Sequence, residues 1–201
     1  MDRINTRALA AALLALLAVP AFAQMGYSES YNFLKAVRER DAPTISAMAS
    51  NPSSNAINAR DRATGEGGLH LLVRARDTSL LGFLLARGAR PDLQSNDGST
   101  PLILAAQIGW MQGAELLLAR RASVDLANNR GETPLILAVQ RRDMAMVRLL
   151  LSHGANPNLA DTLAGYSAFD YARQDRRAAA VLRLLEQAPA ARPRPAARPT
   201  R

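Results

Sequence analysis

The sequence predicts an all-α solenoid of stacked helix-turn-helix units joined by short β-turn or hairpin loops. Three observations predict it. The octapeptide Gly98-Ser99-Thr100-Pro101-Leu102-Ile103-Leu104-Ala105 returns 33 residues later as Gly131-Glu132-Thr133-Pro134-Leu135-Ile136-Leu137-Ala138. Carried through the unit, residues 98–130 match 131–163 at 15 of 33 positions, where chance in a Leu/Ala-rich chain would give roughly three or four. Inside each unit the apolar residues recur at helical spacing. A helix pair of this size cannot bury its own apolar face, so its neighbours must cover it.

Taken in chain order, the first element is an address. Arg3 and Arg7 precede twelve apolar residues, Ala8–Val19, then Pro20 and Ala21-Phe22-Ala23. These are the parts of a secretory signal peptide, with cleavage expected between Ala23 and Gln24. Twelve helical residues reach about 18 Å, short of a ~30 Å hydrocarbon core. Residues 1–23 are therefore read as a cleaved signal of bacterial style, and the periplasm as the destination. Residues 24–187 form the repeat domain.

Within that domain residues 27–61 make a divergent first unit, with Phe33, Leu34, Ala36 and Val37 followed by Ile45 and Met48. Its polar residues Lys35, Arg38, Glu39 and Arg40 give it the outer face that an end unit needs. Three full repeats follow, 65–97, 98–130 and 131–164. In the second, Pro101 suits a first helical turn, where its missing N–H costs nothing. Leu102, Ala105 and Ala106 face inward, Gly109 stops the helix, and Ala114, Leu117 and Leu118 form the stripe of a second helix. Gly98 and Gly131 supply the φ > 0 that a tight repeat junction needs. Asp77 and Asp143 read as N-caps of second helices. Residues 165–187 are a second divergent cap, with Arg173, Gln174, Arg176, Arg177 and Arg183 outward.

The last segment, 188–201, holds four Pro and four Arg with no Leu, Ile, Val or aromatic residue. It reads as a tail without a core. It carries much of the formal +8; removal of Asp2, Arg3 and Arg7 lowers the charge to +7, and the tail's four Arg leave about +3 on the domain. Three uses of the tail stand open: an inert linker, an electrostatic tether to an anionic membrane surface, or a Pro-rich ligand.

These motifs resemble the ankyrin repeat family. The resemblance rests on Thr100-Pro101-Leu102 with Ala105-Ala106, Thr133-Pro134-Leu135 with Ala138, Leu84-Leu85 with Gly88-Ala89 and Asp92, and Leu150-Leu151 with Gly154-Ala155-Asn156 and Asn158. It spans roughly residues 27–187. The family's His survives only as His70, where the resemblance implies a structural role; Ile103 and Ile136 replace it elsewhere, so more of the joining between repeats is expected to be apolar. Gly67-Gly68 stands in place of Thr-Pro, so that helix start is expected to be less firmly set.

Composition excludes much chemistry. With no Cys there is no disulfide, thiolate site or Cys nucleophile. Two His leave few metal or charge-relay candidates, and His153 fits a helix C-terminus. Asp92, Asp125 and Asn158 fall at equivalent loop positions and read as turn formers. No phosphate loop, dinucleotide, zinc-protease or nucleophile-elbow motif occurs. No catalytic residue, cofactor or metal is expected; the competing class is an enzyme whose site assembles across repeats.

The resemblance implies protein binding through hairpin tips and the exposed ends of first helices. Mapped by repeat position, the partner-binding candidates are Arg74, Arg76, Gln107, Ile108, Gln140, Arg141 and Arg142 on helices, with Asn129, Arg130, Glu132 and Tyr166 at tips, beside Asn96, Asp97 and Ser99. Trp110 stands where the neighbouring repeats have Asp77 and Asp143. Two readings of it remain open: the centre of a binding face with Arg141 and Arg142, or a ring laid over the next repeat against Arg142. The expected protein is a monomeric periplasmic adaptor, inhibitor or immunity factor, or stabiliser of a partner protein. Nucleic acid is not an expected partner.

Overall fold

The computed structural model describes residues 28–51 and 54–187, so the signal-like segment and the Pro/Arg tail lie outside the described residues. Ten α-helices occur among them, in five antiparallel pairs: α1 (Glu29–Glu39) with α2 (Ala42–Ala49), α3 (Gly68–Ala75) with α4 (Thr78–Ala86), α5 (Pro101–Ile108) with α6 (Met111–Ala119), α7 (Pro134–Gln140) with α8 (Met144–Ser152), and α9 (Ala168–Gln174) with α10 (Ala179–Glu186). Short 3-10 turns at Ala56–Asn58 and Arg176–Ala178 complete the two end units. No strand is present among the described residues; the hairpins show only isolated bridges, Arg60 to Gly67 and Ala160 to Ser167.

The local causes are those the sequence carries. Thr100 and Thr133 accept from the N–H of Ile103 and Ile136, capping α5 and α7 ahead of Pro101 and Pro134. Asp77 and Asp143 cap α4 and α8 by accepting from Leu80 and Met146 N–H at 3.0 Å. Gly109 ends α5 in the left-handed region at φ 65, and Arg40, Arg76 and Arg142 hold the equivalent positive-φ positions of other units. The two helices of a unit are joined by only two to four residues, which makes them antiparallel.

First helices stack on first helices from α1 to α9, and second helices α4, α6, α8 and α10 do the same. Every side chain from Pro101 to Ala106 and from Pro134 to Val139 is buried. The core runs unbroken from Phe33 to Leu185. Each fully buried Leu, Ile or Phe in it is worth about 1.5–3 kcal/mol, and the unit next door supplies the cover. At the ends, Lys35, Arg38, Glu39 and Arg40, and likewise Arg173, Gln174, Arg176, Arg177 and Arg183, are exposed.

The junctions are more polar than the Ile103 and Ile136 replacements imply. Both isoleucines are buried, but the joining is carried by the loops. The N–H groups of Asn96, Asn129 and Thr162 donate to the carbonyls of Thr64, Asp97 and Arg130 at 2.9, 3.0 and 2.8 Å. One layer down, Asn58, Asp92 and Asp125 accept the N–H of Arg90, Ser123 and Asn156 at 2.9, 2.8 and 2.9 Å. Asp92 and Asp125 therefore bridge repeats instead of only forming turns. The start of α3 is also set, despite Gly67-Gly68. His70, fully buried, accepts the Gly67 N–H through Nδ1 and donates from Nε2 to the Ser99 carbonyl of the next unit at 2.9 Å.

Candidate functional site

Each hairpin lies alongside its own first helix, and together they line a groove that crosses the repeats. Two rows of equivalent positions run along it: Glu66, the buried Ser99, Glu132 and Tyr166 from the hairpins, and Arg74, Gln107, Gln140 and Gln174 from the ends of first helices. Two contacts fix the geometry. Arg74 makes two bonds to Glu66, the closer at 2.7 Å, and the Tyr166 ring meets Tyr171 edge-on with centroids 5.6 Å apart.

The structure gathers some of the sequence-predicted residues here and disperses others. Arg130, Glu132, Gln140 and Tyr166 come together at the C-terminal half of the groove. Arg130 is paired with Glu132 at 2.7 Å, and this neighbour holds its guanidinium above its ordinary pKa. Tyr171 completes the cluster, with Gln140 and Glu132 among its neighbours. Its hydroxyl donates to Asp161, and that carboxylate together with burial holds the phenol above its usual pKa. Asp161 is itself buried. Burial opposes its ionisation, but the Tyr171 hydroxyl and the N–H groups of Ala164, Gly165 and Leu163 outweigh it and keep the carboxyl below the usual range. Arg74 and Gln107 extend the groove toward the first repeats; both are exposed.

Trp110 does not join them. It is 4% exposed and its ring lies on Gly113 of its own helix, so it is neither an exposed anchor nor a partner of Arg142. A Cβ at Gly113 would fall inside the ring. Arg142 is committed elsewhere, to Asp175 at 2.8 Å. Arg76 reaches the Ile108 carbonyl at 2.8 Å, and Arg40 reaches the Ala75 carbonyl at 3.3 Å. Arg40, Arg76 and Arg142 therefore clamp one repeat to the next. Arg141 lies against Gly109 of the preceding repeat, beside Asp143. Asn129 is half tip and half stitch: its side-chain amide donates to the Asn96 carbonyl at 3.0 Å.

Sequence reasoning missed Tyr171 and Asp161. A signal existed, because Tyr171 stands where earlier units have Leu71, Leu104 and Leu137, a polar-tipped aromatic in an apolar row. Asp161 is equivalent to Asn128, whose carbonyl oxygen likewise accepts the N–H groups of Arg130 and Glu132.

Stacked helical hairpins with an open groove and a repeat-built surface define a solenoid scaffold of the kind that presents side chains to another macromolecule. The match to known families is in keeping with this geometry: the model described as "Ankyrin repeats (3 copies)" matches residues 69–161 and, in an overlapping placement, 115–191. The chain belongs to the ankyrin repeat family, whose repeats are protein–protein interaction modules.

Proposed function

We propose that the protein is a non-enzymatic, exported binding module that grips a polypeptide in its hairpin-side groove and works as a monomer in the periplasm. The observation that carries this reading is the Tyr166–Tyr171 pair, set among Arg130, Glu132 and Gln140 on a scaffold stitched by repeated backbone hydrogen bonds. Tyrosine is an efficient anchor because it offers a large rigid surface with one polar handle. Tyr166 is 38% exposed, leaving ring face free for a partner. The surrounding charges are already paired, so a partner need not neutralise a bare charge on docking. Export is supported by the Ala8–Val19 run and the Ala21-Phe22-Ala23 site. Adaptor, inhibitor or immunity factor, and stabiliser are all uses of the same surface.

The test is capture from a cell-envelope extract with the wild-type domain beside a Tyr166→Ala/Gln140→Ala variant of unchanged melting temperature. The reading expects proteins retained by the first and lost from the second. Identical captured sets would overturn it.

A further inference from the structure

A second surface lies at the far ends of the second helices. Because α4, α6 and α8 pack side by side in one layer, their C-termini fall on one edge. Hydrogen bonds show the adjacency directly: Arg87, the residue after α4, bonds the Ser50 hydroxyl at the end of α2, and Arg120, after α6, bonds the Leu85 carbonyl near the end of α4. Arg87, Arg90, Arg120, Arg121 and His153 line this edge and all are exposed. Helix pairs are antiparallel, so this edge is at the opposite end of the helix layer from Gln107 and Gln140.

The edge is unbalanced in charge. Across its equivalent segments, 86–90, 119–123 and 152–156, there is no Asp or Glu. The carboxylates just beyond, Asp92 and Asp125, are taken up by backbone N–H groups of the following loop. Glu186, at the end of α10, is the one acid that continues the row. The ion pairs of the described residues lie elsewhere, on Lys35, Arg38, Arg40, Arg74, Arg130 and Arg142. Part of this basicity complements the helix dipoles. Arg90 and Arg121 lie outside the helices and exceed that need; Arg121 even adopts φ 63 where the equivalent residues are Gly88 and Gly154.

The residues between the arginines are small: Ala86, Gly88, Ala119, Ser152 and Gly154. Such an edge leaves its guanidinium groups clear of bulky neighbours. It is a row of forked donors about 10 Å apart from repeat to repeat, suited to phosphate oxygens spread over a surface.

We infer that this edge forms an electrostatic docking face for an anionic, phosphate-bearing lipid bilayer. The choice of lipid over nucleic acid rests on the export reading, but the test does not. Sedimentation of residues 24–201 with phosphatidylglycerol/phosphatidylcholine vesicles, against phosphatidylcholine alone, reads it in vitro.

Binding is expected only to the anionic vesicles and is expected to weaken as salt rises past roughly 0.15 M. The variant Arg87→Gln/Arg90→Gln/Arg121→Gln should lose roughly tenfold or more of the affinity. The matching Arg→Lys variant, which keeps charge, should retain most of it, and this separates electrostatics from misfolding. Wild-type binding by the triple Gln variant, or tighter binding to duplex DNA than to the vesicles at the same salt, would overturn the proposal. Neither result would touch the groove.

Discussion

Trp110 and Gly113 fill one volume between them: the indole ring lies where a side chain on Gly113 would have to go. In the flanking repeats the same two positions are Asp77 with Leu80 and Asp143 with Met146. There the first residue caps the helix and the second packs on the core, Leu80 partly buried and Met146 fully. In the middle repeat the bulk has moved from the helix to its cap, and α6 starts without a side-chain cap.

Gly113→Ala should therefore destabilise the fold by about 1–3 kcal/mol through overpacking, although alanine normally favours a helix. Trp110→Ala should cost about 3–5 kcal/mol as a cavity. The double change Trp110→Asp/Gly113→Met, which restores the neighbours' arrangement, should be much closer to wild type than the two single changes sum to. Urea unfolding followed by circular dichroism measures all three.

The hairpin glycines give a matched comparison. Gly98 and Gly165 have φ 78 and φ 70. A Cβ on Gly98 would collide with Asn129 of the next tip, whereas one on Gly165, at the end of the stack, would meet nothing. Gly165→Ala should cost about 1–2 kcal/mol, the strain of the left-handed conformation alone. Gly98→Ala should cost clearly more, and thermal melts of the two variants should separate by several degrees.

Stability should respond to pH in two windows. Burial holds the His70 pKa below its ordinary value, and the bond to the Ser99 carbonyl only partly offsets this. The unfolded chain then takes up the proton first, so stability should fall as pH drops through about 6.5 and level off below the folded-state pKa. Asp61, held down mainly by the Thr64 N–H and by Arg38, and Asp161 are carboxylates with lowered pKa. Their contribution is complete above about pH 3.9 and is lost as pH falls below it. Melting temperature against pH should show both declines, and His70→Gln should remove the upper one.

His70→Ala should also lower stability by about 2–4 kcal/mol at neutral pH, because it leaves the buried Gly67 N–H and Ser99 carbonyl each without that partner. Arg142→Ala should change stability by about 1 kcal/mol or less, since its pair with Asp175 is partly exposed. Chemical denaturation of each variant distinguishes the buried bridge from the surface clamp.

Much of the fold could be read from the chain because its causes are local. Thr100-Pro101 and Thr133-Pro134 start helices, Gly109 ends one, Asp77 and Asp143 cap others, and the 33-residue period orders them. The site was harder because its residues are defined by what the next repeat brings. Arg76 and Arg142 read as partner-binding residues until the Ile108 carbonyl and Asp175 arrive beside them. Tyr171 stands in a row of leucines, and only the bond from its hydroxyl to Asp161 sets it apart. Trp110 could have been read correctly from Gly113, since a glycine three residues into a helix leaves room for a ring folded back from its cap.

The claim that matters most is that a polypeptide docks in the hairpin-side groove, and site-specific photo-crosslinking in the intact cell envelope tests it most directly. A photoreactive phenylalanine analogue would replace Tyr166, Gln107, or, as a control on the second-helix face, Ala145. Discrete protein adducts from positions 166 and 107 and none from 145 are predicted. Adducts from 145 alone, or none from the groove positions in a folded and exported chain, would contradict the account.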